Sequence, residues 1–122
     1  MSAPTACHRS PSTSATSRSL DRLLSYAEGT QLDATQKAAL RTELDGGATR
    51  DAVLAEFRTA LHISAARIRA FSPDHHNAPR TVGRAQLPTT VAGLLVHCAD
   101  HTQRHVGQTV TTAKLILGMR VQ

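Results

Sequence analysis

Three histidines, His97, His101 and His105, recur at intervals of four. On an α-helix, residues four apart project from one face, one turn from each other. Two imidazoles so placed can grip one divalent ion, the arrangement used by helices that carry His-x-x-x-His. Neutral imidazole suits Zn²⁺, Ni²⁺ or Fe²⁺, and water or a thiol held by such an ion loses its proton near neutral pH. Gln108 follows His105 by three residues, where its amide could bond a ligand histidine or metal-bound water. Cys98 is open to two roles, a soft ligand or a small buried core thiol.

The histidines need a helix whose inward face they share. Pro88-Thr89-Thr90 makes a helix entry, and the periodicity that follows predicts a helix over about 90–117, stopped by Gly118. With Leu94 at zero and about 100° per residue, His101 and His105 fall within about 20° of the buried axis. His97 falls near −60°, at its margin, as a supporting or alternate ligand. A third ligand must come from elsewhere. His62 lies on the wet side of its own predicted helix, His75 and His76 read as a solvated loop pair, and His8 sits in a tail. Gly107 inside the helix fits either a close approach of backbone or ligand, or a neutral surface position.

Residues 1–18, rich in Ser, Thr, Pro and Ala, show no apolar period and read as a disordered tail before a helical domain over 19–122. Ser19 is placed to cap a short helix over 20–27, with Leu20, Leu23, Leu24 and Ala27 on one side and Gly29 as its stop. Asp33 is the predicted N-cap of a second short helix over 34–44, ended by Gly46-Gly47. Thr49 opens a longer helix over 50–71, whose Leu54, Phe57, Leu61, Ala65 and Ile68 have the spacing of a buried stripe. Residues 72–87 form a connection, with an extended piece at Arg84–Leu87.

The chain's 122 residues suit one domain, and three aromatics (Tyr26, Phe57, Phe71) leave an aliphatic core. Two cysteines make no disulfide framework, which points to a reducing cytoplasm, and no segment has the apolar length of a membrane span or a signal peptide. Of the net charge of +5, residues 61–122 hold all the excess, with seven basic and two acidic side chains. That half could attract a small anion. Nucleic acid is disfavoured, because the basic residues are scattered and stacking aromatics are absent. Glycine-rich phosphate loops and nucleophile elbows are missing, so any chemistry is metal-assisted.

Residues 82–117 resemble the C-terminal helix of the DinB-like superfamily, whose hallmark His-x-x-x-His-x-Gly-Gln is met by His101, His105, Gly107 and Gln108. Residues 20–71 resemble the middle of such proteins more weakly. The resemblance implies an all-α, up-down-down-up four-helix bundle that binds one divalent metal through three histidines. Two of these map onto His101 and His105, and the third normally comes from the second helix. Relatives include thiol S-transferases and a thiol-dependent isomerase, so a small anionic thiol is the implied cosubstrate. Arg84 and Arg104 could attract it, or lie on a solvated surface. The family's first two helices should precede residue 20, so the chain is expected to be an N-terminally truncated member. Residues 50–71 and 89–117 would be its third and fourth helices, and 20–44 the connection into them. Such an incomplete bundle could pair with a second copy, and the rival role is a non-catalytic helical interaction module without metal.

Overall fold

The computed structural model describes residues 11–41 and 49–121. It is all-α apart from one small hairpin. Helix α1 spans Pro11–Ala27, α2 Ala34–Arg41, α3 Arg50–Arg69 and α4 Val91–Val121, with a single 3₁₀ turn at Pro73–His75. Strands β1 (Pro79–Val82) and β2 (Leu87–Thr90) pair antiparallel, Pro79 opposite Thr90 and Val82 opposite Leu87.

Helix α1 is the hub on which both α3 and α4 pack. Its Leu20, Leu23, Leu24 and Ala27, the side read from the sequence, are buried together with Leu94 and Cys98 of α4. Tyr26, Phe71, Val82 and Leu95 close the edges of this cluster. Each fully buried Leu or Val contributes about 1.5–3 kcal/mol, so the α1–α4 seam dominates the fold.

The expected tail is corrected at its inner end, because α1 starts at Pro11, before the predicted Leu20; residues 1–10 lie outside the described residues. The reason is that Thr16, Ser17 and Ser19 are buried. Small hydroxyl side chains let neighbouring helices come close, although they give no apolar period to read. Residues 20–44 are therefore more than a connection, since they include the central helix.

Local signals set the other boundaries. Gly29, at φ +84°, ends α1 in a Schellman arrangement: Thr30 N–H donates to the Ser25 carbonyl at 2.9 Å and Gly29 N–H to that of Tyr26 at 3.0 Å. Asp33 and Gln36 form a reciprocal capping box on α2 (2.7 and 3.0 Å). Thr49 caps α3 by accepting from Ala52 N–H at 3.2 Å, and Thr90 caps α4 by accepting from Gly93 N–H at 3.0 Å. A Cβ at Gly93 would stand 2.6 Å from the Thr89 hydroxyl, so a larger residue there would force the Thr89 side chain to shift. Helix α2 is described only to Arg41, so the expected Gly46-Gly47 stop lies outside the described residues.

Three further expectations are corrected. Helix α4 runs through Gly118 to Val121. The extended piece at Arg84–Leu87 is mostly the hairpin turn, closed by Gln86 N–H donating to Gly83 O at 3.1 Å, and only Leu87 belongs to a strand. On α3 the stripe Leu54, Leu61 and Ile68 is exposed, and the buried residue is Ser64. The helix is turned by one residue, about 100°, from its apolar stripe. Arg67 sets this rotation. Its guanidinium meets Glu28 at 2.7 and 2.8 Å and Asp21 at 2.8 Å, which fixes the Ser64–Arg67 side of α3 against α1.

Candidate metal centre

Helix α4 carries the histidines off the end of its buried seam. Leu94 and Cys98 are 1% and 2% exposed, whereas His101 and His105 are half-buried and His97 is exposed. The two rings pack edge to face with centroids 4.5 Å apart, and His97 stands 6.0 Å from His101. His105 Nε2 and His101 Nε2 are 3.0 Å apart, so one donates its hydrogen to the other. The expected pairing of His101 with His105 is thus present, with His97 at its margin.

Burial and nearby positive charge keep His101 short of protons. The pKa of His101 is lowered first by burial, then by the neighbouring His105, His97, Arg104 and Arg22. His105 Nδ1 is buried without a hydrogen-bond partner. The His105 carbonyl accepts from the Thr109 hydroxyl at 2.9 Å. Gln108 is exposed, and its amide bonds neither imidazole. Gly107 meets open space, which selects the surface alternative for that glycine. Cys98 is a core thiol, with a pKa pushed up to about 11 by burial, and as a thiol it is a poor ligand.

A cavity of about 280 Å³ lies beside the pair, walled by Arg22, Leu23 and Tyr26 of α1 and by His97 and His101 of α4. Arg22 also donates to the Ser19 hydroxyl at 3.1 Å. Sequence reasoning missed Arg22 and Tyr26 as parts of this wall. Their spacing of four, facing the cavity from the helix that carries Leu23, was the available signal.

The geometry fits a divalent ion at two positions. Nitrogens 3.0 Å apart are closer than two zinc–imidazole bonds of about 2.0–2.1 Å placed end to end, so their separation alone does not bar them from sharing one ion. Among the described residues, no group of three or more His, Cys, Asp or Glu side chains, His97, His101 and His105 included, is placed to hold a metal ion. His62 and His75 are exposed, and His76 is tied by its carbonyl to Ala92 N–H at 2.8 Å. His8 lies outside the described residues. Of the two arginines read as possible anion contacts, Arg104 pairs with Asp100 at 2.9 Å on the surface, and Arg84 lines a second cavity described below.

No helix among the described residues is long and apolar enough to cross a membrane. The chain matches no curated protein and no solved structure. A family model described as the DinB superfamily matches residues 15–109, more than three quarters of the chain. That span contains α1 from its buried Thr16 onward and the whole of the histidine pair. The chain belongs to the DinB superfamily.

Proposed function

We propose that the protein holds one divalent ion, Zn²⁺, Ni²⁺ or Fe²⁺, between His101 and His105, in a site of the type that serves thiol transfer in its superfamily. The 3.0 Å Nε2–Nε2 separation supports this most directly. The lowered pKa of His101 supports it too, because a neutral imidazole has its lone pair free for an ion. A bound ion would supply the positive charge that makes a thiol or water acidic near neutral pH. His101 and His105 would fix its place, and the cavity beside them would admit a small anionic thiol past Arg22 and His97. With two protein ligands the site stays open, which suits substrate entry and weakens metal retention. The cytoplasm, where thiols are kept reduced, is the compartment this chemistry implies.

The test is metal content and Ni²⁺ or Zn²⁺ titration of the wild type, His101→Ala and His105→Ala. The reading requires one ion per site in the wild type and its loss in both variants. Equal uptake by all three proteins overturns it.

A second reading, a non-catalytic module that pairs with another copy of the chain, is favoured by the far end of α4. There Val106, Val110, Leu115, Ile116, Leu117 and Met119 are exposed. A metal-free protein that is dimeric in solution is the outcome that selects it.

A further inference from the structure

We propose that a basic groove beyond the histidine pair binds a small amphipathic organic acid, with its acid group among Lys37, Arg41 and Arg84 and its apolar body running toward His97 and His101. A second cavity, of about 590 Å³, adjoins the one beside the histidines, and Tyr26, Leu32, Leu40 and Gly83 line both. Its size falls within the roughly 300–1,000 Å³ of small-molecule sites. The outer compartment has Lys37, Arg41 and Arg84 on its walls, and among the described residues no carboxylate lines either compartment. Like charges gathered around one concavity repel each other and focus a positive potential into it. An anion relieves that repulsion, and the shared leucines and Tyr26 give its body an apolar bed.

The cations come from separate stretches of chain, and each stretch is tied down. Gln36 holds α2 through Asp21 (2.8 Å) and Ser25 (2.9 Å), and Arg18 donates to the Ala39 carbonyl at 2.9 Å. Lys37 and Arg41, one turn apart on α2, therefore stay over the groove. The hairpin is tied by Arg80 Nε donating to the Ala27 carbonyl at 2.7 Å, which carries the turn with Arg84 to the same cavity. The groove goes beyond the metal reading, because it needs no ion at the histidines.

Tyr26 is the sole tyrosine of a chain without tryptophan, and it lines both compartments, so its fluorescence reports occupancy. The experiment titrates the full chain with octanoate, octanol and octyltrimethylammonium, and measures Ni²⁺ uptake separately on the same protein. Octanoate is expected to quench Tyr26 and to bind at least about tenfold tighter than octanol, a difference that shrinks with added salt. The cationic analogue is expected not to quench. Lys37→Gln/Arg41→Gln and Arg84→Gln should each weaken octanoate by about threefold or more, whereas Lys114→Gln, on the exposed far part of α4, should not. Octanol binding as tightly as octanoate, no quenching by octanoate, or wild-type affinity in both groove variants overturns the proposal. Quenching without Ni²⁺ uptake upholds the groove and removes the metal reading; uptake without quenching does the reverse.

Discussion

His101 Nε2 and His105 Nε2 meet at 3.0 Å, a contact that only a shared hydrogen or a shared ion can satisfy. Two protonated rings cannot meet this way, because both nitrogens would then be donors. The lowered pKa of His101 follows from burial and from the surrounding positive groups, His105, His97, Arg104 and Arg22. In the unfolded chain the same ring titrates near its ordinary value of about 6.5. Between that value and the lower folded one, the unfolded state binds more protons, so stability falls as pH falls. It is fully present above about pH 6.5 and is lost as the medium is acidified through the folded pKa. Urea melts at a series of pH values should show this slope, and His101→Ala should flatten it. The imidazole resonances of His101 should titrate with a midpoint below the ordinary histidine value of about 6.5.

The thiol of Cys98 has the opposite sign. Burial raises its pKa to about 11 from 9.0. The unfolded chain releases this proton first, so stability is complete below about pH 9 and declines as pH rises toward 11. The shift corresponds to roughly 2–3 kcal/mol over that window. Thermal melts between pH 8 and 11 should fall more steeply for the wild type than for Cys98→Ala. Native protein should also resist iodoacetamide at Cys98 until denaturant is added.

Arg67 joins α3 to α1 through Asp21, Glu28 and Ser25. The carboxylate side chains are 50% and 36% exposed, so water and salt screen the pairs. Arg67→Met should cost about 1–2 kcal/mol after that discount, an effect that shrinks in high salt. Arg67→Lys should recover only part, because a point charge cannot bridge two carboxylates and a hydroxyl at once. Chemical denaturation with and without 0.5 M salt checks both statements.

The same network shows where the chain can be read and where it cannot. Asp33, Thr49 and Gly29 act within a turn of their own backbone, so their helix boundaries are legible in the residues themselves. The stripe Leu20, Leu23, Leu24 and Ala27 was equally plain, and so was the shared face of His101 and His105, because a single helix fixes it. The start of α1 was hidden because its buried residues are Thr16 and Ser17, which look like tail composition. Polar contacts with residues some forty positions away decide which face of α3 turns inward, so its apolar periodicity pointed about 100° wrong. Arg22, Tyr26, Lys37, Arg41 and Arg84 share connected cavities only because α2 and the hairpin fold over α1, a juxtaposition that no local spacing encodes.

Helix α4 outruns the helix it packs on. Its 31 residues span about 46 Å and the 17 of α1 about 25 Å, so roughly 20 Å of α4 extends past that support. Every described side chain from Val110 to Arg120 is exposed, Leu115 at 63% and Met119 at 75% among them. A stretch so exposed should self-associate at high protein concentration. Ile116→Lys with Met119→Lys should shift light-scattering mass toward the monomer, yet change the monomer's unfolding midpoint little, because neither residue touches the α1–α4 core. An unchanged mass distribution in that variant would mean that the far end of α4 pairs with nothing. Loss of the folded monomer would instead mean that the overhang supports the bundle itself.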